Sequence, residues 1–221
     1  MSSAGILAAV DFHLDRSRIQ DSPGIFDRLG DRSLLSWSFH ALWDAGCRPV
    51  VVIAPQTLVA DVAAELGADG TVVQTTDQRA TTMLDALAPV ATERVAVLDF
   101  RHPLATSDDI LATAAGLDEA DACVGVVPVR ETLKLVRAGA VTETLDRTEM
   151  WQQVMPHSFR VRALVAAYKR AGESEEEITD DVRAVQSSGG RVVIAPVSTR
   201  SLRITTRRDL EVARALLEAS P

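Results

Sequence analysis

Lysine is nearly missing from this chain: of 23 basic residues only Lys134 and Lys169 are lysines. No run of basic side chains occurs either, and with a formal net charge of −8 the balance argues against a nucleic-acid partner. The two cysteines, Cys47 and Cys123, follow no CxxC or metal-ligand spacing. That leaves out a disulfide framework or a cysteine zinc site and fits a reduced, cytoplasmic protein. No stretch approaches the roughly 20 apolar residues that span a bilayer. Met1 to Val10 has no basic region ahead of its short apolar run, so it reads as a strand and not as a signal peptide. Repeats, linkers and low-complexity segments are also lacking, and 221 residues suit one domain covering 1–221, large enough to bury about 70% of its unfolded surface.

What the chain does have is alternation. Short apolar runs at Gly5 to Val10, Pro49 to Ile53, Thr71 to Val73, Arg94 to Leu98, Ala122 to Val129 and Arg191 to Pro196 predict buried strands. Between them, Ser33 to Ala45, Leu58 to Leu66, a segment ending near Leu87, Ser107 to Gly116, Val161 to Ala171 and the stretch after Thr206 carry helical spacing. Asp77, Thr179 and Thr206 with Asp209 are the expected caps. Strand and helix in turn imply parallel pairing with right-handed crossovers, hence a Rossmann-like three-layer α/β sandwich with a mostly parallel sheet. In such sheets ligands bind beyond the carboxyl ends of the strands. The loop after Val10 and the carboxylate of Asp99 both fall there. Asp99 suits a hydrated divalent cation such as Mg²⁺, which needs one or two protein oxygens; capping its own loop is the rival role.

The stretch from Val124 to Phe159 holds polar residues that packing does not require. Thr132, Lys134, Asp146 and Arg147 flank a turn at Gly139, which predicts an excursion out of the core and back. Here Pro128-Val129-Arg130-Glu131-Thr132-Leu133-Lys134, then Thr144-Leu145-Asp146-Arg147, Trp151 and Pro156 form a pattern that resembles the 2-C-methyl-D-erythritol 4-phosphate (MEP) cytidylyltransferases, CTP-dependent enzymes of non-mevalonate isoprenoid synthesis. Arg79 with Thr82, Asp99 with Pro103, Thr179-Asp180, and Ile204-Thr205-Thr206 before Asp209-Leu210 match in the same order, so the resemblance covers most of the chain.

The resemblance implies a sheet of the nucleotide-diphospho-sugar transferase type with a protruding β-arm at 130–147 that clasps a second copy, making a homodimer with shared sites. It implies CTP and MEP, or a related polyol phosphate, as substrates, with Mg²⁺ on Asp99. By the same likeness, Ala8, Ala9, Val10, Asp11, Thr75, Thr76, Arg79 and Thr82 fall at the nucleotide. Thr132, Arg147, Thr179, Asp180 and Arg203 fall at the acceptor, and Asp99 and Arg147 take part in catalysis. Trp151 reads as a packing anchor.

The departures from the family pattern gather at the nucleotide. In place of AAGxGxR this chain has Ala8-Ala9-Val10-Asp11-Phe12-His13-Leu14-Asp15, and Gly24 stands where the family has a lysine. Glycines let backbone N–H groups close on phosphates, and the cations balance charge at the α-phosphorus. Arg16, with Arg18, is the candidate replacement. Thr75 and Thr76 replace two further glycines, Arg203 replaces a lysine, and D-A-A-R-P becomes Asp99-Phe100-Arg101-His102-Pro103. A lone loop histidine such as His102 is more often incidental than a ligand, although its ring can hydrogen-bond a phosphate. Three outcomes stay open: a cytidylyltransferase of reduced or altered activity, an inactive paralogue that keeps dimer and acceptor pocket as a binding protein, or a transferase for another nucleotide or sugar phosphate.

Overall fold

The run Arg94–Asp99 is buried at every residue, which requires a strand with neighbours on both edges and helices on both faces. A computed structural model of the chain, describing residues 2–10, 22–76, 78–174, 178 and 180–219, supplies that setting. In chain order the strands are β1 (Ser3–Ala8), β2 (Arg28–Leu29), β3 (Arg32–Ser33), β4 (Val50–Ala54), β5 (Gly70–Gln74), β6 (Arg94–Asp99), β7 (Ala122–Pro128), β8 (Lys134–Arg137), β9 (Ala140–Thr144), β10 (Trp151–Arg160) and β11 (Val192–Pro196). The helices are α1 (Leu34–Asp44), α2 (Val59–Leu66), α3 (Arg79–Leu87), α4 (Ser107–Ala115), α5 (Val161–Ser174), α6 (Asp181–Ser187) and α7 (Arg207–Glu218).

Seven of these strands form one sheet in the order β11-β7-β10-β6-β1-β4-β5, parallel throughout except for β10, which runs antiparallel to both β6 and β7. Alternate residues of each central strand feed opposite cores. Leu7, Val50, Val52, Ala96 and Leu98 pack with Leu34, Phe39, Leu42, Val62, Ile110 and Leu210 on one face. Ile6, Val51, Ile53, Val95 and Val97 pack with Met83, Leu87, Leu164, Tyr168, Val182 and Val185 on the other. Burying one such side chain stabilises the fold by about 1.5–3 kcal/mol, so the two faces together outweigh any single polar contact. This is the three-layer α/β sandwich expected from the alternation. Among the described residues no helix is long and apolar enough to cross a membrane.

Local signals set the element ends. Ser33 caps α1, its hydroxyl accepting from the Ser36 N–H at 2.9 Å. Thr106 with Asp109, and Thr206 with Asp209, form reciprocal capping boxes on α4 and α7. The cap of α6 is Asp180, one residue after the expected Thr179, which lies outside the described residues along with Asp77.

Strand β10 is the element that sequence periodicity does not announce. Its register against β7 shifts between Gln153 and His157, around Pro156, so neither alternation nor an apolar run survives there. Gly125 of β7 faces this irregularity, where a Cβ would lie 2.5 Å from the Pro156 carbonyl oxygen and 2.8 Å from that of Val154. The excursion after β7 is a two-stranded hairpin, β8 with β9, turning through Ala138 and Gly139 at φ 48° and 81°. Trp151, expected as a packing anchor, is instead 43% exposed at the start of β10, because the strand leaves the core together with this hairpin.

Candidate active site

Ala8 at the end of β1 is in register with Asp99 on β6 and with Ile53 on β4, so the three strand ends open onto one cleft. Ala9 is buried, with its N–H on the Ile53 carbonyl at 2.9 Å, and Val10 is half-buried. Asp11, Asp15, Arg16 and Arg18 lie outside the described residues. The buried carboxylate of Asp99 accepts from the Arg101 backbone N–H at 2.9 Å, and its other oxygen lies 3.6 Å from Nη2 of Arg203. Arg101 is drawn inward by the carbonyl of Ile204 at 3.0 Å and the Ser22 hydroxyl at 2.7 Å. Its guanidinium therefore pins the 201–204 segment under the cleft and brings Arg203 to Asp99.

Beneath this edge lies a floor of buried polar groups. Oδ1 of Asp181 accepts from Nε and Nη2 of Arg79 and from the Tyr168 hydroxyl, joining α6, α3 and α5. Burial alone would raise the Asp181 carboxyl, but Arg79 and then Tyr168 outweigh it and hold the group below the usual carboxylate value. Burial pushes the Tyr168 hydroxyl up, well above its ordinary value, and the Asp181 charge adds to that. His157 of β10 donates from Nδ1 to the Pro156 carbonyl at 2.9 Å, because a carbonyl can only accept. Its Nε2 is thus the bare nitrogen and takes a hydrogen from the Gln153 amide at 3.1 Å; the same amide reaches Asp180 at 3.3 Å. Burial lowers the His157 pKa, against the pull of Asp181 and Asp180. His102 is 5% exposed, and its pKa is pushed down to about 3 by burial and then by Arg203, His157 and Arg101. Its Nδ1 has no hydrogen-bond partner.

At the far edge of the cleft the threonine hydroxyls bond one another and nearby backbone. The Thr76 N–H donates to Oγ1 of Thr82 at 2.8 Å, the Thr82 hydroxyl donates to the Gln78 carbonyl at 3.1 Å, and Thr76 Oγ1 reaches the same carbonyl at 2.9 Å. Thr75 is tied by its N–H to Ala54 and by its hydroxyl to the Thr76 carbonyl. Thr82 is fully buried, so its hydroxyl serves the loop itself.

The arm residues stand apart from this cluster. Thr132 and Arg147 are exposed, and Arg147 donates to the Arg130 carbonyl within the arm. Asp180 is engaged as the α6 cap, accepting from Val182 N–H at 2.8 Å. Among the described residues no group of three or more His, Cys, Asp or Glu side chains gathers to hold a metal. A single carboxylate still fits a cation that keeps most of its ligands as water or phosphate oxygens. Asp99 is such a carboxylate, with Nη2 of Arg203 at 3.6 Å. No local spacing in the sequence marks Gln153 or Tyr168. Asp181 and Arg79 are 102 positions apart, and only folding pairs them.

The sequence profile described as "IspD: 2-C-methyl-D-erythritol 4-phosphate cytidylyltransferase" matches residues 15–219. A 2-C-methyl-D-erythritol 4-phosphate cytidylyltransferase of Saccharopolyspora erythraea is 35% identical over 199 residues, covering 84% of this chain and 86% of that one. Its namesake from Syntrophotalea carbinolica is 35% identical over 124 residues, 56% of this chain, and the bifunctional enzyme IspD/IspF of Anaeromyxobacter dehalogenans is 33% identical over 201 residues, 86% of this chain. The chain spans about half the length of these last two, 53% and 52%. Among solved structures, 4-diphosphocytidyl-2C-methyl-D-erythritol synthase of Anaerococcus prevotii superimposes with a TM-score of 0.82 at 18% identity, over 97% of each chain. The 2-C-methyl-D-erythritol 4-phosphate cytidylyltransferase of Thermus thermophilus does so at 0.80 and 22%, over 99% of this chain and 100% of that one. At such identities the likeness is one of fold.

Proposed function

The chain belongs to the 2-C-methyl-D-erythritol 4-phosphate cytidylyltransferase family, and from that premise we propose that it transfers a cytidylyl group from CTP to MEP or a related polyol phosphate, a step of non-mevalonate isoprenoid synthesis. One observation carries the reading: Asp99 and Arg203 stand 3.6 Å apart at the carboxyl end of β6, in register with Ala8 where the nucleotide loop begins. An acceptor phosphate oxygen attacks the α-phosphorus of CTP. A new P–O bond forms, the bond from the α-phosphorus to the bridging oxygen of the β-phosphate breaks in line, and pyrophosphate leaves. The attacking oxygen is already anionic, so no side chain has to take its proton.

Arg203 faces the acceptor phosphate, and Asp99 would hold one ligand position of a divalent cation, Mg²⁺ in our reading. When bound, that cation offsets charge on the triphosphate. Ala8, Ala9, Val10, Asp11, Thr75, Thr76, Arg79 and Thr82 border the nucleotide, and Thr179 and Asp180 border the acceptor polyol. Thr132 and Arg147 act on the acceptor phosphate from the arm of a second copy, Arg147 through its planar fork. The exposure of Leu135, Val136, Val141 and Trp151 on and beside the arm supports a homodimer through 130–147, within one nucleotidyltransferase-like domain over 1–221. Two free, buried cysteines accord with a cytoplasmic location. Because the loop lacks its glycines and its in-register cation, turnover is reduced, with Arg16 as the substitute cation.

Purified protein given CTP, MEP and Mg²⁺ should release pyrophosphate, and Asp99→Ala should slow that release about 10²–10³-fold. Undiminished release from the variant sinks the assignment. The self-contained threonine loop favours a second reading, in which another nucleotide or none is bound: the Thr76 N–H that a base edge would meet is already on Thr82. Calorimetry in which MEP binds and CTP does not would select an inactive binding protein; binding of a different nucleotide would select altered specificity.

A further inference from the structure

Arg101 is a cation taken almost wholly out of water, 3% exposed, where three pieces of chain meet. Its Nη1 donates to the Ile204 carbonyl at 3.0 Å and to the Ser22 hydroxyl at 2.7 Å, and the guanidinium lies 4.8 Å from the centroid of the Phe100 ring. The backbone of the same residue completes the grip. Its carbonyl accepts from the Ile204 N–H at 2.8 Å, and its N–H donates to Oδ1 of Asp99 at 2.9 Å. Ile204 is thus held by both of its main-chain polar groups, one residue after Arg203, whose Nη2 stands 3.6 Å from Asp99. Beyond it the Thr205 N–H is fastened to Asp209 at 2.9 Å, and before it the Ser201 hydroxyl is fastened to the Met155 carbonyl at 2.9 Å. The D-A-A-R-P pattern has alanine where Arg101 stands, so this clasp is one of the chain's own departures.

We infer that Arg101 is a positioning residue that acts on the acceptor phosphate through Arg203, its guanidinium fixing the main chain from which Arg203 projects; this rests on the proposed transfer reaction. A desolvated guanidinium is tolerated only where acceptors meet it, so it favours the one chain path that presents the carbonyl of residue 204 and the hydroxyl of residue 22 together. Bonds from a charged donor are roughly twice as strong as neutral ones. Two acceptors on one nitrogen also keep the side chain from swinging. Ser22 belongs to the connection between β1 and β2, so the clasp registers Arg203 against the strand-end side of the cleft. Ile204 itself is fully buried among Leu7, Leu98 and Leu210 and their neighbours. Loss of the guanidinium therefore leaves the segment packed but lets its carbonyl turn, and Arg203 moves with it. Reacting geometry tolerates little of this, since a shift of about 1 Å can cost about 10²-fold in rate. Thermal stability is far less sensitive to such a shift, and that difference separates positioning from general support of the fold.

The test uses Arg101→Met, which keeps the stem and the backbone bonds and removes the guanidinium. Its control is Arg94→Met at the opposite end of β6, where another buried arginine bonds the Ala114 carbonyl at 3.1 Å and Asp118 at 2.6 Å. Calorimetric MEP affinity, and KM and kcat with MEP and CTP varied separately, are measured for each. R101M should weaken MEP about 10- to 100-fold, the range for losing a well-placed charged hydrogen bond. That rise in MEP KM should exceed any fall in kcat, and the CTP KM should stay within about threefold. R94M, whatever stability it loses, should leave both KM values within about threefold. In an Arg203→Met background R101M should cost less than about threefold further, because the group it positions is gone. Unchanged MEP affinity in R101M overturns the inference; so does an equal loss in R94M, a loss shared equally by CTP, or full additivity with R203M. Should R101M prove unfolded, Ser22→Ala decides in its place. An MEP KM raised about three- to tenfold in wild type and not in the R203M background supports the inference, and no rise, or the same rise in both, overturns it. Wild type that binds MEP without turnover refutes the transferase reading, and the calorimetric affinities alone then decide the role of Arg101. Wild type that neither binds nor turns over MEP overturns both.

Discussion

On one side of the cleft Asp181, Arg79, Tyr168 and His157 bring polar groups from α6, α3, α5 and β10 into one buried cluster; on the other, Thr75, Thr76 and Thr82 close a loop on itself with neutral hydroxyls. Charge taken out of water is tolerated only when it is matched by charge and hydrogen bonds, so each member of the first group fixes the others. A neutral hydroxyl bonded to nearby backbone constrains little beyond its own loop. The difference teaches where this fold can change without collapsing. By the family resemblance two of the replaced glycines, at Thr75 and Thr76, fall on the threonine side, while the buried cluster keeps a geometry that no single substitution can loosen cheaply.

The hardest test of that contrast is Asp181→Ala. It removes the buried carboxylate on which Arg79 and Tyr168 converge, and breaking a buried pair in this way costs about 3–5 kcal/mol. Thr82→Val, which removes the hydroxyl that accepts from Thr76, should cost no more than about 1–3 kcal/mol. Urea unfolding of the two variants beside wild type measures both numbers. If Asp181→Ala proves as mild as Thr82→Val, the floor is not a matched charge cluster and the contrast is gone.

A smaller effect sharpens the same contrast through pH. His157 is held below its ordinary value of 6.5 by burial, so the unfolded chain takes up a proton that the folded chain refuses. Stability from this group is full above about pH 6.5 and declines as pH falls toward the lower folded pKa. Asp181, depressed below its ordinary 3.8, adds its own loss further down, as pH drops through its folded value. The groups facing His157 are Asp181, Asp180 and Gln153, and the two carboxylates oppose the shift. Between pH 7.5 and 5 wild type should therefore lose stability through this residue. His157→Asn, which keeps a donor for the Pro156 carbonyl but cannot titrate, should show a flatter melting-temperature profile over that interval. Parallel profiles would mean that the ring is not held neutral by its surroundings.

The neutral edge was more legible in the sequence than the charged floor. Runs such as VVVIA in β4 and RVAVLD in β6 declare buried strands, because only covered parallel strands are apolar throughout. Thr206 with Asp209 declares a helix start by spacing alone, and Asp99 at a strand end marks the cleft. Strand β10 does not declare itself: Gln153 and His157 are polar because they join the floor, and Ser158 because it meets Thr113 of α4 at 2.8 Å. These polar contacts interrupt the hydrophobic pattern that would have revealed the strand. Tyr168 and Asp181 sit on ordinary amphipathic helices, and their meeting with Arg79 is a property of the closed sandwich alone.

The smallest expected effect belongs to Thr76→Gly. The variant loses the hydroxyl contacts to Gln78 and Thr82 and gains backbone freedom, which together should cost about 0.5–1 kcal/mol of stability. On the proposed reading the removal of a side chain at the base edge should also tighten CTP, lowering its KM a few-fold and leaving the MEP KM where it was. Both numbers come from one purified variant, by thermal melting and by the pyrophosphate assay. If CTP affinity is unchanged or falls, the threonine is not what restrains the nucleotide side, and any restraint there belongs to other residues. If affinity rises for a nucleotide other than CTP, the threonines have been reading a different base, and the neutral edge is a specificity device in its own right and not a relic of one.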